Sequence, residues 1–163
     1  MDFTGEHEFA APVETVWSMF QNPESHLAKF EDMGHRDIEL IEADASDDAF
    51  HIVVRRVVEV DLPGFAKRVL KPTNTVTTTD DWRRNADGTC TGEQKVETEG
   101  APVKINATTR LDPVGERTRY SVTVHLEVKV PLIGGKLADW AKGRVQEQLD
   151  DEFAAGDRWL ASS

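Results

Sequence analysis

Near the end of the chain apolar residues recur at every fourth position. Leu137, Ala141, Val145, Leu149 and Phe153 lie on one line, Trp140, Trp159 and Leu160 widen it, and Lys136, Asp139, Glu147, Asp150 and Asp157 fall largely elsewhere. This spacing predicts one amphipathic helix over residues 135–160. At about 1.5 Å per residue such a helix is a rod of roughly 39 Å, long enough to cross a whole sheet. Gly134 and Gly135 break the strand before it and release the helix.

Between residues 36 and 130 the period is 2 instead. Strands are predicted at about 36–45, 49–60, 74–84, 89–98, 102–112 and 117–130, with turn residues such as Ala86-Asp87-Gly88 and Asp112-Pro113-Val114-Gly115 between neighbours. The last strand is the cleanest: Tyr120, Val122, Val124, Leu126, Val128 and Val130 share one face, and Arg119, Ser121, Thr123, His125, Glu127 and Lys129 the other. Residues 2–9 also alternate, with Phe3, Gly5, His7 and Phe9 together. A short helix opens at Ala11-Pro12 with Val13, Val16, Trp17 and Phe20 in one stripe and ends at Asn22-Pro23. A second runs from Pro23 to about Met33, contributes Leu27 and Phe30, and stops at Gly34. The predicted class is α+β: a strand, two short helices, six antiparallel strands completing a seven-stranded curved sheet, and a long helix packed across it. Residues 1–163 read as a single domain.

That order of elements resembles the START-like or Bet v 1-like (SRPBCC) superfamily, in which a helix-grip sheet wraps a long C-terminal helix. The APVETVWSMFQNPE segment is similar to the superfamily's first-helix pattern of a proline, a valine-tryptophan pair and an Asn/Asp-Pro break. The ending VPLIGGKLADWAKGRVQEQLDDEFAAGDRWL looks like a mostly actinobacterial branch, the DUF2505 type. The resemblance covers essentially the whole chain. It implies a cavity between sheet and helix, but no particular chemistry, because lipid carriers, hormone receptors, cyclases and ring-hydroxylating subunits share the fold.

Charge narrows the partners. Residues 1–50 hold 13 acidic and 2 basic side chains, residues 51–163 hold 17 of each, and the net charge is -11. An acidic surface with no basic, aromatic-interleaved stripe argues against nucleic acid. One cysteine, Cys90, excludes an internal disulfide and agrees with a reducing compartment. With no membrane-spanning apolar run and no leader pattern, the expected location is the cytoplasm. Oligomeric state stays open.

The chemistry is read from the inward strand positions. Counted outward from the last strand, these are Thr78, Asp80, Trp82, Cys90, Gly92, Gln94, Thr98, Ala107, Thr109 and Leu111. Most are small or polar, which implies open volume of several hundred cubic ångströms with a few hydrogen-bonding groups, unless a bulge turns them to water. Arg56 falls among inward Phe50, Ile52, Val54, Val58 and Val60, and needs a carboxylate such as Asp80 or Glu152, or a polar ligand group. Val145 and Leu149 face the cavity from the helix, where Glu152 and Gln148 lie beside Trp140 and Val145. His7 is either an acid-base or ligand-orienting group or a packed histidine, and Tyr120 either a packed ring or a hydroxyl donor.

The one long connection, 61–73, mixes Leu62, Phe65, Val69 and Leu70 with Lys67, Arg68 and Lys71. It reads as a gate over the cavity, a tip that touches a membrane transiently, or a loop folded over its own leucines. No nucleophile elbow, zinc-binding pair, dinucleotide fingerprint or phosphate loop is present, and the five histidines lack metal-ligand spacing, so neither metal nor cofactor is implied. The expected function is binding of a small hydrophobic or amphipathic molecule of lipid, polyketide or isoprenoid type, as carrier, sensor or store. A cyclase or dehydratase using His7, Asp80 or Arg56 is the alternative, and a protein-interaction module with a vestigial cavity a third.

Overall fold

A computed structural model describes residues 1–163. The first strand, β1 (Asp2–Phe9), leads into two short helices, α1 (Val13–Gln21) and α2 (Pro23–Asp32). Six strands follow: β2 (Arg36–Ser46), β3 (Ala49–Glu59), β4 (Thr73–Arg84), β5 (Cys90–Thr98), β6 (Val103–Val114) and β7 (Arg117–Val128). A single long helix, α3 (Gly134–Ser162), ends the chain. Both helix starts near the N-terminus follow from sequence: Pro12 precedes α1, and the Asn22 side chain caps α2 by accepting from the Glu24 N–H at 3.1 Å.

All seven strands form one antiparallel sheet in the order β1-β7-β6-β5-β4-β3-β2. Strands 2 to 7 are a meander of hairpins, and Gly88 and Gly115 turn two of them at positive φ, which a side chain would strain. The β1 strand closes the far edge by pairing with β7, so the first and last strands are neighbours. At the other edge β2 carries two register shifts, which interrupt its alternation and leave Leu40 and Ile41 exposed beside Asp37, Glu39, Glu42 and Asp44. Charge and bulges on that strand disfavour pairing with a second sheet.

Inward alternation is unbroken from β3 to β7. Cross-strand pairing sets Ile52, Asp80, Gln94, Ala107 and Val124 in one row, and Phe50, Trp82, Gly92, Thr109 and Val122 in the next. The second half of α3 lies close on β1 because two glycines permit it. A Cβ at Gly5 would stand 3.1 Å from Leu149, and one at Gly156 would stand 2.7 Å from the Phe9 ring. The first half of α3 stands off from the sheet and leaves space beneath it. No helix is long and apolar enough to cross a membrane.

Candidate functional site

The centre of the grip is filled. Trp82 lies over Gly92, where a Cβ would fall 2.6 Å from two indole carbons and 2.8 Å from the Asp81 carbonyl oxygen. Around it Phe50, Phe20 and Tyr120 bring their rings to within 6.0, 5.1 and 6.1 Å of the indole. The small residues in the sheet therefore do not open one large cavity. They make room for a tryptophan that alternation alone counts as one more lining residue. Gly92→Ala should cost about 1–3 kcal/mol, since a backbone oxygen as well as the indole would have to move; an unchanged urea midpoint would show that the indole is free to swing away.

Open volume remains at the two ends, in cavities that share no lining residue. The mouth cavity, of about 130 Å³, lies under the first half of α3, between Trp140, Ala141 and Val145 and the strand residues Val58, Val76, Val96 and Ile105. Leu62 and Leu70 border it. Phe65 and Val69 do not; Phe65 packs instead over the Lys136 ammonium, 4.3 Å from its ring centroid. The connection is steadied by a short 3-10 turn (Gly64–Ala66) with Ala66 fully buried, and its four large apolar side chains are half-buried rather than exposed. A second cavity, of about 240 Å³, lies between α2 and the last turns of α3.

Arg56 points inward and is 7% exposed, but no carboxylate meets it. Its Nη1 donates to Thr78 Oγ1 at 2.5 Å and its Nε to His35 Nδ1 at 3.3 Å, while the guanidinium lies 3.9 Å from the Phe30 ring centroid. Burial lowers its pKa to about 10, against the raising influence of Glu152 and Asp80. The expected pair with Asp80 or Glu152 is thus replaced by a hydroxyl, an imidazole and an aromatic face. Glu152 sits instead 3.9 Å from Lys29.

Asp80 is 4% exposed and accepts from Gln94 Nε2 at 3.0 Å; burial raises its pKa. Tyr120 is equally enclosed, and burial lifts its hydroxyl well above the usual range, helped by Glu152 and Asp80. Two polar atoms in this layer, Trp82 Nε1 and Thr109 Oγ1, are buried without a partner.

The residues expected around one cavity consequently divide. Arg56 and Val145 border the mouth cavity, and Tyr120 and Glu152 the second. Thr78, Asp80, Trp82, Gln94, Thr109 and Leu149 line neither and belong to the packed layer between sheet and helix. His7 lines neither as well: its Nε2 is 2.9 Å from Asp157, and its ring stacks on Phe153 at 5.0 Å. No cluster of three or more His, Cys, Asp or Glu side chains is arranged to hold a metal ion.

A family profile described as "Protein of unknown function (DUF2505)" matches residues 4–160. The chain belongs to the DUF2505 family. No curated protein matches it in sequence. Solved structures share its fold at low identity. A conserved protein from Geobacillus kaustophilus is 21% identical with a TM-score of 0.62, over 100% of this chain and 97% of that one. The Zhui aromatase/cyclase from Streptomyces sp. R1128 is 16% identical at a TM-score of 0.66, over 99% and 93%. A STAR-related lipid transfer protein fragment from Xanthomonas axonopodis is 14% identical at 0.61, over 98% and 85%. This DUF2505 member therefore has the helix-grip fold of START-like and Bet v 1-like proteins.

Two groups at the family member's cavities were not legible as site residues. His26, on α2, borders the second cavity and is 3% exposed, and Lys29, one turn on, reaches the same space. The helical spacing of His26, Lys29 and Phe30 in α2 was the available signal, but which side of so short a helix faces α3 is set by tertiary packing.

Proposed function

We propose that the chain binds a small hydrophobic or amphipathic molecule, of lipid, polyketide or isoprenoid type, in the mouth cavity between sheet and α3, as a carrier, sensor or store. The observation that carries this reading is the apolar hollow beside Arg56, a buried cation without a carboxylate partner. Its charged lining groups are Arg56, Lys71 and Arg144, all cations in a chain of net charge -11. That lining suits a ligand with an acidic or strongly accepting head and an apolar body. As closed, the hollow is smaller than the drug-sized class of about 300–1,000 Å³. Moving Leu62 and Leu70 aside with their connection would enlarge it and open it, which makes 61–73 the entrance. The lipid transfer protein and the aromatase/cyclase that share the fold support a ligand-binding class and leave the ligand to this chain's own chemistry. Of the three groups a cyclase or dehydratase would use, only Arg56 borders a cavity, and this favours binding over turnover.

Native mass spectrometry of the purified protein, with decanoate added where nothing co-purifies, tests the reading together with amide exchange. A bound molecule should be retained, and the 61–73 amides should exchange faster than β3 and β4 when empty and slow on binding. Absence of both retained molecule and decanoate adduct would overturn binding; unchanged exchange of 61–73 on binding would place the entrance elsewhere.

A further inference from the structure

The second cavity is built differently from the mouth. Phe9, Phe20 and Trp159 supply apolar walls, and among its polar lining are Lys29, Tyr120 and Glu152. The Lys29 ammonium stands 3.9 Å from the Glu152 carboxylate, beyond hydrogen-bonding distance, with its other near neighbour the Phe30 ring at 4.5 Å. Tyr120 is 6% exposed, and its hydroxyl has no hydrogen-bond partner in the protein. Neither Lys29 nor Glu152 makes a side-chain hydrogen bond to any other residue. Lys29 and Glu152 are partly exposed and face each other as an ion pair, and all three groups keep hydrogen-bonding capacity that a molecule in the cavity can use.

We propose that this cavity is a second binding site, separate from the mouth, for a neutral single-ring molecule bearing a hydroxyl. Charge balance selects neutrality. Lys29 and Arg158 face Glu152 and Asp32, Arg158 already bonds Asp32 at 3.3 Å, and a charged ligand would leave an unbalanced ion in a low-dielectric space. Size selects one ring, because a cavity of about 150 Å³ holds benzene and this one, at about 240 Å³, adds room for substituents. The gap between Lys29 and Glu152 selects the hydroxyl. One oxygen seated there accepts from the ammonium and donates to the carboxylate, making two charge-assisted bonds where the protein makes none, and Tyr120 offers a further donor. A methyl in the same place would bond none of the three groups.

Titration of the full chain with p-cresol, p-xylene and benzoate, by calorimetry and amide NMR, tests the site. The expected result is saturable p-cresol binding with shifts at Ala28, Ala155 and Gly156, and binding at least tenfold weaker for p-xylene and for benzoate. Tyr120→Phe breaks no bond within the protein, so it should keep the melting temperature and weaken p-cresol about threefold to tenfold. Glu152→Gln, a second variant that keeps the side-chain shape, should weaken it by a similar factor, and Arg56→Met should leave it unchanged. No saturable p-cresol binding, p-xylene binding as tight as p-cresol, or shifts confined to Trp140 and Ile105 at the mouth would each overturn the proposal. Because the mouth is read with decanoate and this cavity with p-cresol, failure of one assignment is distinguishable from failure of the other.

Discussion

Lowering the pH from 6.5 toward 3 should remove roughly 4–5 kcal/mol of folding stability through His26 alone. The side chain is buried in α2, and its Nε2 donates to the Phe20 carbonyl oxygen at 2.7 Å. Burial first, then the Lys29 cation, pushes its pKa from 6.5 to about 3, the Phe20 carbonyl opposing them. The unfolded chain takes up this proton near pH 6.5 and the folded chain only near pH 3, so the stabilisation is present above 6.5, is lost progressively as pH falls from 6.5 to about 3, and changes no further below that. His35 acts in the same direction, with a pKa near 4 set by burial, Arg56 and Lys29. His51 acts oppositely, because hydrogen bonds to Glu42 and Asp81 raise its pKa and its contribution fades as pH rises. Comparison with His26→Gln, whose amide can still donate to Phe20, isolates the effect. Between pH 6.5 and 5.0 the wild-type stability should fall relative to the variant by about 1.7 kcal/mol in all, the slope steepening toward about 1.4 kcal/mol per pH unit at the lower end. Parallel urea-derived curves for the two proteins would show that His26 is accessible to protons in the folded state.

Arg56→Met should stabilise the chain by about 1–4 kcal/mol while weakening decanoate at least tenfold. The guanidinium is desolvated, bonded to one hydroxyl and one imidazole, and helped by Asp80 and Glu152 only at a distance. Methionine fills similar volume and can keep contact with Phe30. By the same reasoning Asp80→Asn should be tolerated or stabilising at neutral pH, since burial already works against the charge there and Asn can retain the bond from Gln94. A loss of about 3–5 kcal/mol in either variant is the signature of a true buried ion pair and would contradict this account.

How far the chain could be read before folding follows from the range of the interactions involved. Alternation between Tyr120 and Val128, the fourfold spacing from Leu137 to Phe153 and the Asn22-Pro23 break are local patterns, and each local pattern names its own element. Because a hairpin sheet keeps register from one strand to the next, they also determined that Arg56, Thr78, Asp80 and Gln94 face inward. The sequence could not say what meets them there. Whether Gly92 opens a hollow or seats an indole depends on the reach of Trp82 from the neighbouring strand, and the carboxylate partner chosen for Arg56 lost to Thr78, His35 and Phe30, side chains from β4, α2 and the turn after it. The division into two cavities is likewise a tertiary result. Gly5 and Gly156 let the second half of α3 settle onto β1, while its first half, without such a seat, stands away from the sheet. Secondary structure and facing are set by neighbours a few residues away, whereas volume and electrostatics in the interior are set by side chains that meet only when helix and sheet close together.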